Sequence, residues 1–273
     1  MGRKIIALAT VCILASNVAA TADDLASAAK NVRQIIAHRG ASHERPECTI
    51  VSLQRAIEVK ATAVEVDVRT SKDGVLFILH DTTLDRTTNG KGKASLLTVD
   101  ELKRLDAGAW FDKKYQNERI PTLQEVLVAA KGKIDVLLDL KEQGDRYDRQ
   151  VVKLVREFGE PRRTIVGVRS VEQARRFRKL LPDAQQLGLI PTSNDIEAFR
   201  TAGVETIRLW PRWIESQGVS LVRRVRKSGA QLHLNGSTGE LDEIQPLLLH
   251  SPESMSADDP RTLIANLKKL KRR

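Results

Sequence analysis

Eight short apolar segments, most of them followed by a stretch of helical periodicity, restrict what this chain of 273 residues can fold into more than any other feature. They fall at 32–37, 63–68, 135–140, 164–168, 186–190, 206–210, 231–234 and 254–257, and read as strands that can be buried. Helical patterns occupy 49–59, 146–158, 171–181, 195–201 and 220–228. Strands that alternate with helices are joined by crossovers, so they build a parallel sheet, and eight of them are enough to close it. The expectation is an α/β fold of the TIM (β/α)8 barrel type. Without a leader the chain has roughly 250 residues, the usual size of one such barrel, and no Gly/Ser-rich linker or repeat divides it. Two places strain the scheme: only the short stretch 241–249 joins the last two strands, and 254–257 is a poor strand by propensity.

The stretch from 63 to 81 carries the densest chemistry. It reads Ala63-Val-Glu65-Val-Asp67-Val-Arg69, then Asp73-Gly74 as a turn signal, then apolar residues to Leu79, and ends in His80-Asp81. The turn is too short for a crossover helix, so the two arms form an antiparallel hairpin. A turn centred near Lys72 and Asp73 sets His80 opposite Glu65; one centred on Asp73-Gly74 sets it opposite Asp67. Either register brings the histidine level with the carboxylates. Glu65 and Asp67 are two apart on a strand, so they share a face and can hold one hard divalent cation. Alone, such a pair is as often a solvated face as a site. Here Val64, Val66 and Val68 alternate with it, the pattern of a barrel strand with an apolar outer face and a polar inner one. Inward carboxylates need a cation or hydrogen bonds to offset their desolvation.

One insertion, about 82–132, breaks the alternation directly after His80. It holds two helices opened by capping boxes, Thr98 with Glu101 and Thr122 with Glu125, and should stand over the strand ends as a lid or wall. Active sites of such barrels lie at the C-terminal ends of the strands. There the first strand runs into His38-Arg39-Gly40 and the third into Asp139-Leu-Lys141, a spacing that puts Asp139 and Lys141 on one face. Singly, each has an ordinary explanation: a satisfied core histidine, or a surface charge at a strand end. Gathered at one rim, they supply a metal cradle, two proton-transfer groups and two fixed cations. A phosphate diester asks for that set, because its hydrolysis needs in-line attack, neutralised phosphoryl oxygens and a proton for the leaving alkoxide.

The first 22 residues have the three parts of a secretory signal peptide: Arg3 and Lys4, an apolar run, and small residues at Ala20 and Ala22, where cleavage is expected. The run is too short to span a bilayer. A soluble exported protein follows, with 23–273 as a single domain. Cleavage leaves Cys48 as the only cysteine and so excludes an internal disulfide. It also leaves 43 basic against 35 acidic residues, a balance of +8 that suits anionic substrates or surfaces. Aromatics make up only 4%, with no stacking platform among the basic residues, so nucleic-acid binding is disfavoured. The basic, amphipathic end, 263–273, reads as an ordinary solvated helix end, with weak docking on a membrane surface as its alternative.

These motifs, with Pro46-Glu47-Cys48-Thr49, Leu84-Asp85-Arg86-Thr87-Thr88-Asn89-Gly90, Pro121-Thr122-Leu123-Gln124-Glu125 and Ser256-Ala-Asp258-Asp259-Pro260, stand in the order and spacing of a known family. The sequence resembles the glycerophosphodiester phosphodiesterases, whose barrel is similar to that of phosphoinositide phospholipases C. The likeness is dense over 36–142 and thin beyond. It implies that His38 and His80 are the acid/base pair and that Arg39 and Lys141 contact the phosphate. It further implies that Glu65, Asp67 and Asp139 bind Mg²⁺ or Ca²⁺, with Glu47 close by. The family usually has Asn where Cys48 stands and Glu where Asp139 stands; Glu142 should point away from the site. Val168-Arg169-Ser170 replaces the family's Ser-Phe, and its Trp near 232–235 is absent; in the family these positions shape the pocket for the alcohol. The implied reaction is metal-dependent hydrolysis of a glycerophosphodiester to an alcohol and glycerol 3-phosphate, with water or the substrate's glycerol 2-hydroxyl as attacker. Alternatives are a lysophospholipase D, a more distant sphingomyelinase-D-like transferase, and a catalytically silent phosphoester-binding protein.

Overall fold

A computed structural model describes residues 21–236 and 238–272, so the leader expected at 1–22 lies outside it apart from Thr21 and Ala22. In chain order the elements are α1 (Ala22–Asn31), β1 (Gln34–Ala37), α2 (Ile50–Glu58), β2 (Ala63–Thr70), β3 (Leu76–Ile78), α3 (Val99–Arg104), α4 (Leu123–Ala130), β4 (Asp135–Leu140) and α5 (Asp145–Phe158). There follow β5 (Thr164–Val168), α6 (Val171–Leu180), β6 (Gln185–Gly188), α7 (Ile196–Thr201), β7 (Thr206–Leu209), α8 (Pro211–Gln217), α9 (Val219–Lys227), β8 (Gln231–Asn235), α10 (Leu241–Leu248), β9 (Ser254–Ala257) and α11 (Pro260–Lys271). Eight strands pair in parallel in the order β1-β2-β4-β5-β6-β7-β8-β9, and β9 pairs back with β1, closing the ring. The fold is a TIM barrel. Both strained places resolve: α10 fills the last crossover, and the four residues of β9 are all buried between β8 and β1.

Alternation divides the strands' side chains between two cores. Val64, Val66 and Val68 of β2 and Val136, Leu138 and Leu140 of β4 face outward, into the main core under the helices. Ile36, Ala63, Leu137, Ile165, Leu187 and Leu189 meet in a second, central cluster inside the barrel. Polar residues on the same inward face as Ala63 and Leu137 therefore stand above that plug, at the mouth.

The hairpin of β2 and β3 forms as expected, but in a register between the two considered. Val68 pairs with Ile78 and Thr70 with Leu76, so the count that leads to His80 ends level with Val66. The cause is the turn: Ser71 and Val75 close a three-residue loop whose last member, Gly74, has φ +84. A loop of that kind shifts the partner strand by one residue relative to a two-residue turn. His80 itself lies beyond the ladder, after Leu79 donates its N–H to the Asp67 carbonyl (3.0 Å).

Both capping boxes are present, with Thr98 opening α3 and Thr122 opening α4. Of the segment taken as an insertion, however, α4 belongs to the ring: Leu123, Val126, Leu127 and Ala130 enter the main core, and the helix packs between α2 and α5. The part between β3 and α4 has a small core of its own, built from Phe77, Leu79, Leu84, Ala94, Leu102, Ala107 and Ile120. It stands as a wall beside the loop after β1, which it meets through Arg86 to Glu47 and the Tyr115 hydroxyl to the Glu44 carbonyl. The chain's tail is also accounted for. Leu263, Leu267 and Leu270 of α11 pack with Ala28 and Ala29 of α1, so the apolar face that would dock on a membrane is covered. No helix among the described residues is long and apolar enough to cross a bilayer.

Candidate active site

The site is built on β2 and β4, whose register sets Asp67 beside Asp139 and Glu65 beside Leu137. All three carboxylates are buried, and each offers an oxygen within 4.8 Å of the others. Two unit charges 4 Å apart repel by about 4 kcal/mol at an effective dielectric of 20, so such a cluster stays ionised only with compensating positive charge. Burial, and then the charge of Asp67, push Glu65 up to about 8. The donor set fits a hard cation: Glu65 and Asp67 can reach one ion at about 2.3–2.6 Å, the range for calcium, with Asp139 close enough to complete the shell directly or through a water. Glu142 takes no part, since its oxygens accept from the N–H and hydroxyl of Thr70 at 2.8 and 2.7 Å.

Cations interleave with these acids. Lys141 Nζ lies 2.6 Å from Asp67 and 3.0 Å from Asp139, and Arg169 Nη2 lies 2.5 Å from the other oxygen of Asp139. Those two charges outweigh the burial that opposes ionisation, and they lower the Asp139 pKa. Arg39 approaches from the loop after β1. Its backbone N–H donates to Glu65 (2.8 Å), its Nη1 donates to Glu47 (3.1 Å), and its buried Nε has no hydrogen-bond partner, an atom left for a ligand oxygen. The loop is tightly drawn: Arg39 and Gly40 have φ +55 and +86, and a Cβ on Gly40 would stand 2.3 Å from Ser52 Oγ. Cys48 closes the loop at φ +58, a conformation to which asparagine is better suited. Its thiol, pushed well up by burial, points at Asp67 from 3.5 Å.

Each histidine is held through Nδ1 by an aspartate. His38 meets Asp258 at 2.7 Å, because β1 and β9 are neighbours in register and each runs straight into its residue. Ser42 donates to the same Asp258 oxygen (3.1 Å). Burial opposes a charge on His38, but the bonds and charges of Asp258 and Glu65 outweigh it and raise the pKa above the ordinary value. His80 meets Asp81 at 2.7 Å, and its carbonyl is fixed by Arg69. Arg86 joins the two sides of the rim. Its Nε donates to Asp81 at 2.7 Å while its two terminal nitrogens grip Glu47 at 2.8 Å each. Arg86 first, and then His80, bring Asp81 down to about 2 against the opposing effect of burial.

A family model for the glycerophosphoryl diester phosphodiesterase family matches residues 38–262. The chain belongs to that family. A glycerophosphodiester phosphodiesterase from Caldanaerobacter subterraneus subsp. tengcongensis is 32% identical over 241 residues, covering 86% of this chain and 98% of the relative. The crystal structure of a glycerophosphodiester phosphodiesterase from Agrobacterium tumefaciens superposes with a TM-score of 0.73 at 27% identity, over 85% of this chain and 99% of that one. A phosphodiesterase from Oleispira antarctica, solved with the product sn-glycerol-3-phosphate, has the same fold at 23% identity and a TM-score of 0.73, over 88% and 99%. The protein is thus a phosphoric diester hydrolase.

Within this glycerophosphoryl diester phosphodiesterase, His38, Glu65 and Asp139 line one cavity together with Arg208 of β7, His233 and Asn235 of β8 and Ser256 of β9. Asp67, Arg39 and Lys141 adjoin it through their ion pairs. His80 does not line it and is tied to the site by way of Asp81, Arg86 and Glu47. The aspartates behind the histidines escape a reading by residue type, since each looks like an ordinary turn residue; the step from β9 straight to Asp258 is the available signal. Arg69, Arg208 and His233 carry none beyond alternation on their strands. His233 bonds Ser254 (2.8 Å) and Asn235 (3.0 Å), and burial, with Arg208 alongside, drives it down to about 3, so it stays neutral.

Proposed function

We propose that this enzyme hydrolyses glycerophosphodiesters to an alcohol and sn-glycerol 3-phosphate, using a divalent cation held by Glu65, Asp67 and Asp139 and the pair His38 and His80 for proton transfer. The observation that carries the reading is the pairing of each histidine with its own aspartate beside a buried three-carboxylate cluster. When bound, Mg²⁺ or Ca²⁺ would neutralise charge on the non-bridging phosphoryl oxygens. Arg39 and Lys141 share that task from the protein side and orient the diester. With Nδ1–H donated to an aspartate, the neutral imidazole keeps its lone pair at Nε2, where a proton can be taken or returned. One histidine receives the proton of the attacking hydroxyl as its oxygen bonds phosphorus; the other gives a proton to the leaving alkoxide oxygen. Release of glycerol 3-phosphate, followed over several glycerophosphodiesters with and without added metal, tests the proposal. A protein that binds these diesters without turning them over sinks it.

Asp258 supplies a second test. Its carboxylate raises the His38 pKa, so Asp258→Asn should lower it. The limb of the pH–rate profile governed by His38 should move to lower pH whether that histidine acts as acid or base. The same change should cost about 10- to 100-fold in kcat, the usual worth of a group that orients a functional imidazole. An unmoved profile would separate Asp258 from catalysis.

Export remains part of the proposal. Thr21 accepts from the Asp24 N–H and so caps α1, which favours cleavage after Ala20, since cleavage after Ala22 would remove the cap. N-terminal sequencing of the protein from its native cell is expected to begin at Thr21. Full-length chain with Met1 in the cytoplasm would overturn the assignment.

A further inference from the structure

Arg208 is a cation at the barrel mouth that the chemistry above leaves unused. It lies on β7, which is four strands from β2 in either direction round the ring and therefore faces the carboxylate cluster from across the barrel. Arg39, Lys141 and Arg169 each face a carboxylate. Among the described residues the Arg208 side chain makes no hydrogen bond or ion pair, although it lines the same cavity as His38, Glu65 and Asp139. Its guanidinium lies 4.4 Å from the Trp210 ring centroid, with Arg212 5.1 Å from the same ring. The indole holds the plane of Arg208 without consuming its donors. Its register partner on β8, His233, is neutral and already bonded to Ser254 and Asn235, so it offers no counter-charge.

We infer that Arg208 selects diesters whose alcohol half carries an anionic group, a carboxylate or a second phosphate, lying across the barrel from the phosphate under attack. The inference rests on the diesterase reading of the site. A planar fork with free donors in a partly dehydrated cavity matches both anions, and a diester held at β2 and β4 must direct one of its substituents across the mouth. The rival role for Arg208 is to offset the acidic cluster at a distance, which would affect every substrate alike.

Two matched pairs separate these. sn-Glycero-3-phosphoserine differs from sn-glycero-3-phosphoethanolamine by one carboxylate, and bis(glycerophospho)glycerol exceeds glycerophosphoglycerol by one glycerophosphate, hence by one anionic phosphate. The ratio of kcat/KM within each pair should be measured for the wild type, Arg208→Gln and Arg208→Lys. The corresponding ratio of Kd should be measured by calorimetry in a His80→Ala background. The expected result is a preference for the anionic member of about tenfold or more, a charge-assisted hydrogen bond's worth. It should collapse toward one in Arg208→Gln and survive in part in Arg208→Lys. Preference within one pair alone supports the inference and names the anion. Equal treatment of both members by the wild type, or an unchanged ratio in Arg208→Gln, overturns it. If all four diesters bind with the expected ratio but none is hydrolysed, the diesterase reading fails and the inference about Arg208 stands.

Discussion

His38→Ala and His80→Ala should each lower kcat by about 10² to 10⁴-fold, the usual worth of a positioned general acid or base, while the fold survives. Both side chains are only partly buried and neither belongs to an apolar cluster, so truncation opens no core cavity. The double variant should be little worse than the poorer single one, because proton removal and proton delivery serve one displacement. His80 is the sharper test, since it stands at the rim, outside the cavity that His38 lines. Near wild-type turnover in either variant would remove that histidine from the mechanism.

The second large effect concerns the metal. Activity should vanish on exhaustive chelation and return with Mg²⁺ or Ca²⁺. Glu65→Ala and Asp67→Ala should each cost on the order of 10³-fold or more even at high metal, because a cation at the phosphoryl oxygens is worth several kcal/mol. Asp139→Ala should instead weaken metal affinity more than it lowers metal-saturated kcat. Its side chain is one methylene shorter than the glutamate usual in the family, so a water bridging it to the ion is the smallest adjustment, and both its oxygens already have partners in Lys141 and Arg169. Kinetic titration with each metal checks this. Damage in Asp139→Ala equal to that in Asp67→Ala at saturating metal would make Asp139 a direct ligand; full activity after chelation would falsify the metal assignment outright.

The barrel was legible because its strands are local and periodic. The bounds of β4, β5 and β9 agree with the apolar runs, and the inward set of Glu65 and Asp67 follows from three alternating valines. Near the turn, local pattern was too coarse: the three-residue loop at Gly74 moved the β2–β3 register by one, and no periodicity distinguishes such a loop from a tighter one. The role of α4 was missed for a different reason. Its capping box announces a helix but says nothing about which layer the helix joins, which its contacts with α2 and α5 decide. At the site, residues with rare chemistry on a strand were readable, whereas those that orient them were not. Asp258 is 220 residues from His38, and only closure of the ring brings them together.

Arg86 lets the two sides of the rim answer to each other. One guanidinium grips Glu47, on the segment that carries Arg39, and Asp81, on the segment that carries His80. Those segments are separated by more than thirty residues and flank different strands, so they could otherwise drift apart over generations as ordinary loops do. With one side chain as common tether, a change that displaces either loop is felt at both proton-transfer groups. Sequence variation at 44–49 and at 80–90 should therefore be tolerated in matched combinations more readily than one piece at a time.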